Sequence, residues 1–157
     1  MSVEIQRVTF QEWNRGGPWR DELADAFERY LRKSGEEMTL TEQWQLVNLA
    51  MLGREDLLFL VATESDETLL GFAICRLLPG TLASGRIVQV WQVYVVPGRA
   101  KLAELFELAW PQIEAYAKAN GAARCSMMTR RMTAAYDRLL RSLGFEPYAL
   151  HYSRGVA

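Results

Sequence analysis

Residues 88–98, VQVWQVYVVPG, and the two elements that follow them constrain this chain more than any other feature. Valines at 88, 90, 93, 95 and 96, with Trp91 and Tyr94, suit a strand over residues 87–96, and Pro97-Gly98 closes it. From Lys101 to Asn120 the period changes. Leu102, Leu105, Ala109, Ile113 and Tyr116 fall on one helical stripe, and Gly121 stands where a left-handed C-terminal cap belongs. Residues 122–129 then read as another strand. A helix between two strands is a crossover, which joins neighbouring strands in parallel.

The chain before this unit pairs differently. Residues 57–63 and 69–77 are apolar, and Glu64-Ser65-Asp66-Glu67-Thr68 between them is turn chemistry. Pro79-Gly80 and Ser84-Gly85 bound the next connection, so three successive strands form an antiparallel meander. Residues 3–9 alternate apolar and polar and suit a half-buried first strand. Asn14 to Pro18 break the chain before a helix from Trp19 to Arg32, whose Leu23, Phe27, Tyr30 and Leu31 share a face. Ser34-Gly35 ends it. Thr39 and Glu42 have capping-box spacing and open a second helix, with Trp44, Val47 and Met51 inward and its end near Gly53. Thr133 caps a short helix to Leu143, Gly144 stops it, and residues 147–153 form a last strand. The order β-α-α-β-β-β-α-β-α-β predicts an α+β fold, with a mixed sheet and helices on both faces, in one domain over residues 1–157.

Composition narrows the function classes. The chain of 157 residues is half hydrophobic and 24% charged, which is ordinary for a globular domain. A net charge of −1 gives no electrostatic reason to expect nucleic acid as a partner. No apolar run approaches the ~20 residues that span a bilayer, and the first residues lack the layout of a signal peptide. Cys75 and Cys125 sit in apolar strand-like runs and read as core residues in a reducing, cytoplasmic setting. With one histidine, His151, and two separated cysteines, the sequence shows no zinc spacing, and no metal is expected.

The element order, together with GFAICRL, VYVVPG, AYAKANGAARC and LLRSLGFEPY, resembles the GCN5-related N-acetyltransferases over essentially the whole chain. The resemblance implies a central pair of splayed strands, residues 87–96 and 122–129, with acetyl-CoA in the opening as cofactor. It implies that Val93 and Val95 offer main-chain bonds to the thioester carbonyl and the pantetheine arm, and an amide so placed would also stabilise an oxyanion. Their alternative is that of plain sheet residues.

One family motif is missing. The strand is normally followed by Q/R-x-x-G-x-G/A, a loop that wraps the pyrophosphate. Here Leu102, Glu104 and Phe106 stand where the glycines would lie, and no glycine occurs between Gly98 and Gly121. Arg99 and Lys101 are the candidate cations for the diphosphate, beside the alternative of a solvated helix start. The family's usual acid, a Tyr four residues before the Gly-Phe pair, is replaced by Leu140. Tyr136, one turn earlier on the same face, is the candidate catalytic acid, or else a packing residue. Glu36, Glu37 and Glu64 are the nearest carboxylates by element order, each with a default reading as a solvated loop charge.

Two functions follow. One is a divergent acyl-CoA-dependent N-acetyltransferase acting on an unidentified amine of a small molecule or a protein. The other is a catalytically degenerate protein of the same fold, used for binding or assembly with a protein partner or a second copy. The latter loosely resembles acetyltransferase-like proteins of tailed phages.

Overall fold

The computed structural model describes residues 2–65, 67–80, 85–127, 133–147 and 154. Ten elements follow in order: β1 (Val3–Arg7), α1 (Phe10–Arg15), α2 (Trp19–Ser34), α3 (Leu40–Met51), β2 (Leu57–Glu64), β3 (Thr68–Leu78), β4 (Arg86–Val95), α4 (Leu102–Ala119), β5 (Ala122–Met127) and α5 (Ala134–Ser142). The strands form one sheet in sequence order. β1, β2, β3 and β4 pair antiparallel in turn, and β5 adds to β4 in parallel. The crossover helix α4 thus has the consequence its length implies.

The expected order needs one correction. A six-residue helix, α1, lies between the expected first strand and the expected break, which it overlaps only at Asn14 and Arg15. It is too short for periodicity to show, and none of its residues is buried. Its signal is the cap: the Thr9 side chain accepts a hydrogen bond from the Glu12 amide, at the same Thr-x-x-Glu spacing that opens α3. The expected last strand at 147–153, with His151, lies outside the described residues but for its first position, as do Met128 and Thr129 of the strand expected over 122–129.

β2 explains why helices cover both faces. Its residues are buried from Leu57 through Thr63. Leu57, Phe59 and Val61 join the core beneath α2 and α3, whereas Leu58 and Leu60 join the core beneath α4. A strand that buries both faces must be central and covered twice. The α2 side is aromatic: Phe27 meets Trp44 at 5.0 Å and Phe72 at 4.8 Å, edge to face in both cases. Such pairs add about 0.5–1.5 kcal/mol each beyond the area they bury. On the other face Phe145, just past α5, packs edge-on against Phe106 of α4 at 5.4 Å.

Candidate functional site

The site begins with a slip of register in β4. Ile74 of β3 faces Gln92, and the next residue, Cys75, faces Val90, so Trp91 is an extra residue without a partner on β3. This is a β-bulge, which bends its strand and increases the local twist. The parallel pairing of β4 with β5 runs to Val90↔Met127, immediately before the bulge. Residues 91–95 of β4 therefore continue past the last described pair on that side.

The backbone of this extension has a defined direction. The Val96 amide donates to the Leu70 carbonyl at 2.8 Å, so this opposed pair is a hydrogen-bonded one. Opposed pairs in an antiparallel ladder alternate between bonded and non-bonded. Tyr94 and Gln92 then bond to β3, and the N–H and C=O groups of Val93 and Val95 face away from β3, toward the β5 side. Their side chains line an apolar cavity beneath α4 with Leu102, Leu105, Phe106 and Ala109. Gly71, opposite Val95, keeps this packing close. A Cβ there would overlap the Tyr94 carbonyl oxygen and lie 3.3 Å from Leu105 Cδ1.

Beyond β4 the chain turns at Gly98, where φ is +79°. Lys101 is the N-cap of α4 and supplies no side-chain hydrogen bond to the first turn. The free amides and the helix dipole make this end attractive to an anion, although Glu104 in the same turn opposes one. Arg99 and Lys101 both stand at this entry, in different states. Arg99 forms an ion pair with Glu22 of α2, and its Nη1 donates to the Leu69 carbonyl at 2.9 Å. Lys101 is exposed and has no ion-pair partner among the described residues. Tyr136 occupies the first turn of α5, half-buried, and its amide donates to the Thr133 hydroxyl at 3.2 Å.

The opposite face of β4 carries a polar cluster that sequence reasoning missed. The Trp91 indole N–H donates to Glu36 Oε1 at 3.1 Å, and the Tyr30 hydroxyl approaches the same oxygen at 3.5 Å. The Arg76 guanidinium stacks over the Trp91 ring at 4.2 Å, and its Nε donates to Gln89 Oε1 at 2.7 Å. Burial lowers the pKa of Arg76, and the charge of Glu36 opposes that shift. Glu36 is thus half-buried and held, not the solvated loop charge expected of it; Glu37 beside it is exposed. The bulge itself left a trace in the sequence: the valines change phase between 88, 90 and 93, 95.

Both cysteines are free thiols, as expected. Burial pushes the Cys75 thiol far up and Cys125 to about 11, so neither supplies a thiolate nucleophile near neutral pH. Among the described residues no helix is long and apolar enough to cross a membrane, and no cluster of His, Cys, Asp and Glu is placed to hold a metal.

No protein-family model and no curated protein matches this sequence. Solved structures do match the fold. The aminoglycoside N-acetyltransferase AAC(6')-Iy, bound to the bisubstrate analog CoA-S-monomethyl-acetylneamine, is 11% identical with a TM-score of 0.73 over 100% of both chains. Glucosamine-6-phosphate N-acetyltransferase from Arabidopsis thaliana is 12% identical, with a TM-score of 0.67 over 100% of both chains. Ribosomal-protein-alanine N-acetyltransferase from Brucella melitensis biovar Abortus 2308 is 17% identical, with a TM-score of 0.65 over 99% of both chains. The chain has the fold of the GCN5-related N-acetyltransferases.

Proposed function

We propose that the protein is an acyl-CoA-dependent N-acetyltransferase that transfers an acetyl group to an amine. The observation that carries this reading is the run of β4 beyond its last described pair with β5, with the main-chain groups of Val93 and Val95 turned away from β3. An extended pantetheine arm has the hydrogen-bonding needs of an added strand, and this edge meets them without any particular side chain. One structural neighbour, AAC(6')-Iy, is described in complex with CoA, which agrees with the reading.

Acetyl-CoA supplies an activated acyl group; the residues of the chain bind, orient and exchange protons. The Val93 and Val95 amides and carbonyls hold the arm and the thioester carbonyl. The uncapped first turn of α4 and Lys101 receive the diphosphate, and Arg99 joins them by exchanging Glu22 for phosphate. Tyr136 gives a proton to the leaving thiolate. Attack by the amine needs no covalent enzyme intermediate, in keeping with two thiols that burial holds protonated. A cytoplasmic setting belongs to the same reading.

Thermal unfolding with acetyl-CoA tests it. At a hundred times Kd, a ligand that binds only the native state stabilises by about 2.7 kcal/mol. For a domain of this size that is a rise of roughly 5–10 °C. An unchanged Tm at millimolar acetyl-CoA instead supports the second reading, a retained fold used for binding or assembly. The observation favouring that reading is Arg99, whose charge is already taken by Glu22 and the Leu69 carbonyl.

A further inference from the structure

We infer that Glu36 is the residue that receives the ammonium group of the acceptor, a primary alkylammonium compound, at the bulge of β4. The inference rests on the acetyltransferase reading for its purpose, since it assigns the amine side of the same site. Its evidence is separate.

Glu36 is fixed from three directions. Gly35 ends α2 in the left-handed region at φ +70°, and the Glu36 amide donates to Ser34 Oγ at 3.2 Å, which sets the backbone. Tyr30 of α2 and Trp91 of β4 both address Oε1. Oε2 accepts no hydrogen bond among the described residues. A half-buried carboxylate with one oxygen anchored and no partner for the other among the described residues retains acceptor capacity for an N–H donor.

Its location gives that capacity a use. Trp91, which anchors Glu36, is the bulged residue that follows the last described β4–β5 pair. The main-chain groups proposed to hold the acyl donor begin two residues later, at Val93. The carboxylate and the donor edge are therefore tied to the same short turn of backbone, the carboxylate on the α2–α3 face and the main-chain groups at the edge.

Arg76 does not remove this capacity. Its Nε is committed to Gln89 and its plane to the Trp91 ring, and no ion pair joins it to Glu36 within 4.0 Å among the described residues. It sets the polarity of the site instead. A cation lies beyond the indole and an anion at the indole N–H, so a ligand ammonium is drawn to the Glu36 end and repelled from the other. An uncharged hydroxyl in place of the ammonium gains neither effect.

Isothermal calorimetry on the full chain decides it, with phenethylammonium and spermidine as probes and phenethyl alcohol as the neutral match. Both ammonium probes are expected to bind, and the alcohol at least about 10-fold more weakly, the ratio of one charge-assisted hydrogen bond. Glu36→Gln is expected to weaken the ammonium probes about 10-fold or more, and Glu37→Gln, an exposed neighbour on the same loop, to leave them unchanged. Trp91→Phe keeps a ring and removes the indole N–H, so it serves if Glu36→Gln fails to fold; it is expected to lower ammonium affinity without affecting the alcohol. Equal binding of ammonium and alcohol, wild-type affinity in Glu36→Gln, or no binding of either ammonium probe overturns the proposal. CoA binding is measured separately. Its absence with ammonium binding intact sinks the acetyltransferase reading and leaves Glu36 as a cation site.

Discussion

Gln43 of α3 and Gln92 of β4 close a two-bond amide ring inside the protein, Nε2 of each donating to Oε1 of the other at 2.7 and 3.0 Å. Both side chains are fully buried. Gln92 is the residue just after the bulge, so this ring fixes α3 against the bulged part of β4. A mutual pair satisfies one donor and one acceptor on each amide, and the cost of burying either amide depends on the other.

Replacing one member by leucine should therefore cost more than replacing both. Gln43→Leu or Gln92→Leu alone is expected to destabilise by about 1–3 kcal/mol, the penalty of an orphaned buried amide. The double variant should recover part of that loss. Urea midpoints for the four proteins give the cycle, and strict additivity would mean that the two amides are not coupled.

Gly71→Ala is expected to destabilise by about 1–3 kcal/mol through overpacking. The added methyl meets the Tyr94 carbonyl, which belongs to backbone and cannot rotate away, and Leu105 behind it. Because Val95 lies opposite, the same change should weaken CoA binding in protein that still folds. A urea midpoint equal to that of the wild type would show that the two strands separate freely here.

Tyr94 makes the opposite case. Its hydroxyl is buried with no hydrogen-bond partner among the described residues, while its ring packs on Phe72 at 5.9 Å. Tyr94→Phe keeps the ring contact and removes an unsatisfied group, so stability should be unchanged or higher by up to about 1–3 kcal/mol. A clear loss would reveal a partner for that hydroxyl.

The acyl-donor reading makes a charge prediction with a sign. Lys101→Ala should weaken CoA binding by about 1 kcal/mol or more. Glu22→Gln should strengthen it, because Arg99 is then released from its ion pair at the α4 entry. Titrations at two salt concentrations check both. Weaker binding in Glu22→Gln would show that the Arg99 anchor positions the entry instead of competing with the ligand.

If acetyl transfer is observed, Tyr136→Phe should lower turnover about 10²–10⁴-fold, the usual worth of a positioned proton donor. An unchanged rate in a folded variant leaves Tyr136 as a packing residue of α5.

The sequence by itself determined the sheet and its coverings. The apolar run of β2, the stripe of α4, the cap at Thr39 and the crossover length are local patterns, and each marks its element without reference to any distant residue. Even the bulge is written in the phase of the valines. α1 escaped because six residues span less than two turns, too few to show a period. What only the tertiary structure decided is which polar groups meet. Trp91 finds Glu36 across 55 residues, Gln92 finds Gln43 across 49, and Arg99 finds Glu22 across 77. Burial repeats with the period of a helix or strand and can be read from one chain. A hydrogen bond between distant side chains has no period, because it depends on how far the bulge turns β4 and where the helices settle against the sheet.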